Sequence, residues 1–105
     1  MSTKRNTAHT NTIDNAIAII GDTHTLCIIH HLGKTGMRFN DLQRAINGLN
    51  PATLTARLKK LEREKIIIRK TETVDRVSVL YELTTKGKDL LPIIAEIGSF
   101  ADKYL

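Results

Sequence analysis

The residues from Leu49 to Leu61 read LNPATLTARLKKL, and their types suit contact with a polyanion. Arg57, Lys59, Lys60 and, two positions on, Arg63 supply positive charge on long stems that can reach phosphate oxygens; Arg57 can alternatively read a guanine edge. Ahead of them stand Pro51, Ala52, Thr53, Thr55 and Ala56, none of them bulky. A DNA major groove about 12 Å wide admits a helix whose leading side chains are small. Threonine hydroxyls can bond base edges or phosphates, and threonine and alanine methyls can touch the methyl group of thymine. Asn50 just before this run, Arg38 and Asn40 upstream, and Arg76 downstream complete the candidate contacts to double-stranded DNA.

The charge distribution agrees. From Lys34 to Lys70 there are ten basic and three acidic residues, a net of +7; the remainder has six basic and eight acidic, a net of −2, and together they give the +5 of the whole chain. Positive charge gathered in one third of a sequence is the footprint expected of a nucleic-acid binder, although a solvated helical face gives the same pattern. Aromatics make up only 4% and tryptophan is absent, which argues against a stacking platform for single strands.

Other chemistry is poorly served. His24, Cys27 and His31 fall at i, i+3 and i+7, a spacing that can offer thiolate and imidazole to a soft metal. A lone cysteine on an apolar helix side is more often a small hydrophobe, so neither a metal nor a cofactor is expected. Gly-x-Ser-x-Gly and the P-loop are missing and no paired carboxylates stand in an obvious pocket, which argues against an enzyme. The single cysteine excludes an intramolecular disulfide and suits a reducing cytoplasm. Met1 to Asn11 is polar, without a signal-peptide core, and is expected to be a flexible arm, residues 1–11, carrying Lys4 and Arg5. No apolar run approaches the ~18 residues of a membrane span.

The elements that must position the basic run can be read from periodicity and caps. At 105 residues the chain is one domain, expected over 12–105. Ile13, Ala16, Ile17 and Ile20 mark a first helix ending near Gly21, and Asp22 or Thr23 caps a second that runs to about Leu32. Asn40 is the expected N-cap of a short third helix, with Gln43 in capping-box spacing. Asn47-Gly48-Leu49 forms a tight turn. Asn50 caps the next helix, with Pro51 at its first position, where a missing N–H costs nothing. Leu54, Leu58 and Leu61 form its buried stripe, and Ala52, Ala56, Lys59, Lys60 and Arg63 lie opposite. Ile66–Ile68 and the alternation through Val77, Val79 and Tyr81 give a β-hairpin with its tip around Thr73–Arg76. Thr84 or Thr85 caps a long final helix. In it Leu90, Ile94, Ile97, Ala101 and Tyr104 make a heptad-like seam, which Leu91, Ile93 and Phe100 widen. The expected class is mostly α with a β-hairpin: a winged helix-turn-helix framed by terminal helices.

Taken together these segments resemble the HxlR-type helix-turn-helix regulators, relatives of the MarR winged-helix group. The resemblance runs from about Ile13 to Tyr104. It is carried by Ile20-Gly21 with Thr25-Leu26, by Arg38 to Leu42 with Ala45-Ile46, by Leu49 to Leu61, and by Tyr81 to Thr84 with Gly87, Leu90 and Pro92. It implies a homodimeric, DNA-binding transcriptional regulator whose terminal helices, with Ile13, Ile17, Leu90, Ile94, Ile97, Phe100, Ala101 and Tyr104, form the dimer interface. Where family members often carry Cys-Pro this chain has Asn11-Thr12, and the usual Gly-Lys-Trp is Asp22-Thr23-His24. Two copies of Pro51–Glu64 in such a homodimer would lie about one DNA turn apart, so the expected ligand is a pseudo-palindromic site. A non-specific architectural DNA-binding protein and a winged-helix protein-interaction module are the alternatives. Nothing in the sequence specifies a small-molecule effector; one would be sought between the terminal helices and the DNA-binding part.

Overall fold

In the computed structural model of the chain, which describes residues 2–73 and 77–105, the buried aliphatic residues of four segments meet in one core. Ile28, Ile29 and Leu32 come from α2 (Thr23–Leu32), Leu42 from α3 (Phe39–Ala45), and Leu54, Leu58 and Leu61 from α4 (Pro51–Arg63). Ile66, Ile67 and Leu83 close it from the base of the hairpin formed by β2 (Ile67–Thr73) and β3 (Val77–Leu83). A two-residue strand β1 (Met37–Arg38) lies on the other side of β3, so the antiparallel sheet has the order β1-β3-β2. Met37 faces Tyr81 across one pairing, and Ile67 faces Leu83 across the other. The winged helix-turn-helix expected from the sequence is thus present, with an additional short strand.

That strand changes the start of α3. Because Met37 and Arg38 are extended and paired, the chain enters the helix directly at Phe39, and the N-cap is Arg38 with no side-chain cap bond. Asn40 is therefore inside the first turn, not the cap expected of it. Gln43, released from a capping box, does different work in the turn described below.

The ends of the chain also depart from expectation. Helix α1 runs Ser2–Ile20, so the backbone of the stretch read as an arm is helical. Residues 2–20 contain no glycine or proline to interrupt the ladder begun by the Ile13–Ile20 periodicity. The expected long final helix is two helices, α5 (Thr85–Lys88) and α6 (Leu91–Tyr104). Pro92 explains the break: it has no N–H for the carbonyl four residues back, and its ring crowds that carbonyl. The chain instead tightens, with Leu90 N–H donating to Gly87 O at 3.0 Å. Thr84 is the cap of α5. Its hydroxyl accepts from Gly87 N–H at 3.1 Å and donates to Lys65 O at 2.7 Å, which fastens α5 to the root of the wing.

The split divides the heptad-like seam. Leu90, Leu91 and Ile94 pack on the core, whereas Ile93, Ile97, Phe100 and Tyr104 are exposed; no residue of α6 is fully buried. Ala101 is half-buried. Ile13 and Ile17 on α1 are likewise exposed.

Candidate nucleic-acid interface

Helices α3 and α4 are joined by a turn in which Asn47 and Gly48 both have positive φ, 54° and 71°. Glycine takes this conformation at no steric cost, and asparagine tolerates it better than most residues. Gly48 N–H donates to Gln43 O at 2.9 Å, and Gln43 Nε2 reaches across the turn to Leu49 O at 2.8 Å. The side chain expected to complete the capping box of α3 therefore braces the helix-turn-helix angle.

Asn50 begins α4 as expected. Its Oδ1 accepts from Ala52 N–H at 2.8 Å and Thr53 N–H at 3.3 Å, while Pro51 occupies the first turn. These bonds satisfy donors that the helix itself leaves without partners. Asn50→Ala is expected to cost about 1 kcal/mol in chemical denaturation. Asn50→Asp should retain that stability, because aspartate caps equally well, yet weaken DNA binding by placing a carboxylate at the groove.

Successive residues of α4 are about 100° apart around the axis. Leu54, Leu58 and Leu61 form the buried stripe. Ala52, Ala56, Lys59 and Arg63 share the far side and are exposed, with Pro51 exposed at the leading end. Thr53 and Thr55 lie half-buried on the two flanks. This face delivers small residues first and cations behind, as a groove-entering helix requires.

Lys60, expected on that face, and Arg57, expected to reach a phosphate or a guanine edge, are both held elsewhere. Arg57 and Lys60 follow Thr53 along the flank, between the exposed and buried stripes. Arg57 Nε lies 3.2 Å from Asp22 Oδ2, and Lys60 Nζ donates to Ala18 O at 2.8 Å. The charge count could not show this, because Asp22 and Ala18 are brought to α4 only by the tertiary fold.

Asp22 is itself a cap. Its Oδ1 accepts from Thr25 N–H at 3.0 Å, and its Oδ2 accepts from the fully buried Thr25 hydroxyl at 2.7 Å. Burial raises its pKa, but the two Thr25 bonds and the Arg57 charge outweigh this and hold it below the ordinary carboxylate value of 3.8. A folded pKa below the unfolded one stabilises above the unfolded value, and the contribution is lost as pH falls through the folded value. The stability gap between the native chain and Asp22→Asn should thus be fully present at neutral pH and close in acid, below about pH 4, in denaturation curves recorded across pH.

Arg76 lies outside the described residues. Arg69 and Lys70 pair with Tyr81 and Leu80, well back from the tip, and Lys70 Nζ lies 2.7 Å from Glu82 Oε1. Arg38 and Asn40 are exposed at the start of α3. Among the described residues no three His, Cys, Asp or Glu side chains gather in a way that could hold a metal.

A winged helix-turn-helix with a small-then-basic leading helix is now in place, and residues 19–105 match the HxlR-like helix-turn-helix family. The chain belongs to that family. The HTH-type transcriptional regulator YvaP of Bacillus subtilis (strain 168) is 32% identical over 92 residues, covering 88% of this chain and 85% of YvaP. YodB of the same organism is 30% identical over 92 residues, covering 88% and 82%. The solved structure of reduced YodB matches with a TM-score of 0.79 at 30% identity, over 89% of this chain and 91% of that one. A chain described as a MarR-family transcriptional regulator from Porphyromonas gingivalis W83 gives 0.81 at 32% identity, over 89% and 91%. The HxlR-like chain is therefore a helix-turn-helix transcriptional regulator of the winged-helix type, from a family of regulators and not of enzymes.

Proposed function

We propose that this regulator is a cytoplasmic homodimer that binds specific double-stranded DNA sites by inserting α4 into the major groove. The observation that carries this is the face of α4 made by Pro51, Ala52, Ala56, Lys59 and Arg63. It is exposed, free of bulk at its leading end and positively charged behind. Asn50 sets the entry of that helix, and Thr53 and Thr55 flank it within reach of base edges. Arg38, Asn40 and Arg76 supply outlying phosphate contacts.

The dimer rests on a separate observation. Ile13 and Ile17 on α1 and Ile93, Ile97, Phe100 and Tyr104 on α6 are between 46% and 63% exposed, an unusual density of large apolar side chains on two helices of one chain. A second copy covering these helices removes them from water. Leu90 and Ile94 support the surface from beneath, because they already face the core, and Ala101 lies at its edge. No described helix is long and apolar enough to cross a membrane. An apolar groove of about 190 Å³ between α1 and the wing root, lined by Ile19, Ile20, Ile66 and Leu90, is where a small effector would be sought.

Selection of genomic fragments by the purified protein tests the reading, at about 150 mM salt, where non-specific phosphate binding is weakened. Enrichment of an inverted repeat is expected. Recovery of fragments without a shared site would favour an architectural protein, and no recovery would shift the weight to protein interaction. Sedimentation should give a dimer at micromolar concentration, and Phe100→Asp should yield monomers.

A further inference from the structure

The basic side chains of α4 fall into two sets that differ in geometry. Lys59 and Arg63 lie on the exposed face, whereas Arg57 and Lys60 lie on one flank, between that face and the leucine stripe, and are held by other parts of the chain. Arg57 meets Asp22, and Lys60 meets the Ala18 carbonyl in the last turn of α1. Both attachments fall within five residues of chain, at the junction where α1 ends and α2 begins. A cation at a helix C-terminus and a carboxylate at a helix N-cap are each favoured by the helix dipole. The junction thus offers one anionic and one carbonyl anchor to two side chains one turn apart on α4.

We infer that Arg57 serves DNA binding as a positioning residue: with Asp22 it fixes the roll of α4 against the α1–α2 junction, and it does not contact DNA. This rests on the proposed DNA-binding reading. Lys60 assists from the next turn. The consequence is mechanical. The leucine stripe of α4 leaves some freedom of rotation about the helix axis, because apolar packing is weakly directional. Two polar attachments on one flank fix that rotation, and with it the direction in which Ala52, Ala56, Lys59 and Arg63 face. Because α1 carries Ile13 and Ile17, the same attachments join α4 to the helix expected at the dimer interface.

Positioning and contact make opposite predictions for a change at Asp22. Removing an acidic group beside a DNA-binding helix raises the local positive charge, and electrostatics alone then gives tighter binding. If Asp22 holds Arg57 in place, the same change weakens specific binding. Asp22→Asn is a suitable variant because asparagine caps helices as well as aspartate. It keeps an acceptor for Thr25 N–H and loses the charge together with the oxygen that accepts the Thr25 hydroxyl. Asp22→Ser, also a good cap without charge, guards against an effect peculiar to the amide.

The experiment measures binding of the native chain, Asp22→Asn, Asp22→Ser, Arg57→Ala and the Asp22→Asn/Arg57→Ala double variant. The probes are a duplex carrying the repeat selected by the native protein and a scrambled duplex of the same length, each titrated at several salt concentrations. Each single variant is expected to bind the selected duplex about tenfold more weakly, from a modest ion-pair loss repeated in both halves of the dimer. The double variant should be no weaker than Arg57→Ala, as for two residues acting through one contact. The slope of log K against log salt should stay unchanged in the Asp22 variants and in Arg57→Ala, and binding to the scrambled duplex should not weaken in the Asp22 variants. Tighter or equal binding by the Asp22 variants would overturn the inference. So would a slope reduced by about 0.9 per protomer in Arg57→Ala, the signature of a lost phosphate contact. Failure of the native chain to bind either duplex would instead remove the DNA-binding reading itself.

Discussion

Alanine at Gly87 is expected to lower folding stability by about 3 kcal/mol, read as a shift in the denaturation midpoint with an unchanged slope. Gly87 is buried where α5 crosses the root of the wing. A Cβ built there would lie 2.2 Å from the Ile66 carbonyl oxygen and 3.1 Å from Leu83 Cδ2. The leucine tip can swing aside, but the carbonyl cannot. Ile66 O already accepts Thr84 N–H at 2.9 Å, so moving it also disturbs the residue that caps α5. Shortening the neighbour, as in Gly87→Ala with Leu83→Val, should therefore recover little. In a domain whose total stability is about 5–15 kcal/mol, the loss is a large fraction. It should also loosen α6, which follows α5 directly, and so weaken dimerisation. Full native stability in Gly87→Ala would mean that α5 does not sit against Ile66.

Gly87 also illustrates which parts of this molecule can be read from the sequence. The helix-turn-helix was legible because its signals are local: Asn50-Pro51 as cap and first turn, Asn47-Gly48 as the positive-φ turn, and three leucines at helical spacing. The hairpin was legible from β-branched alternation through Val77 and Val79. What escaped depends on distant chain. Strand β1 is two residues long, and only pairing with Tyr81 and Leu80 makes it a strand; without it, Asn40 looks like a cap. The break before α6 does have a local signal, Pro92, whose effect at the carbonyl of Lys88 is outweighed in a sequence reading by the strong apolar repeat around it. At the candidate site, the sequence identified the helix and its small-then-basic order. It placed Lys60 on the outward face and gave Arg57 a DNA contact, because the partners of Arg57 and Lys60 lie 35 and 42 residues away, at Asp22 and Ala18.

That division of the cations sets the other large effect. Lys59→Ala combined with Arg63→Ala is expected to reduce affinity for the selected duplex by on the order of 10²–10³ at about 150 mM salt, with the fold intact. A dimer loses four charges in this variant. If each neutralises one phosphate, the slope of log K against log salt falls by roughly 3–4, and the affinity lost at this salt follows from that slope. Both side chains are exposed, and exposed charges contribute little to stability, so thermal unfolding should move by no more than a few degrees. Binding to scrambled DNA should fall by a similar factor, because phosphate contacts carry no sequence information. Arg57→Ala must behave differently in the same titration, with specific binding reduced and the slope retained. A chain that used the helix for an apolar protein partner would tolerate loss of Lys59 and Arg63 with little change. A loss of binding with an unchanged salt slope would place the phosphate contacts on the wing or on the start of α3 instead of on α4.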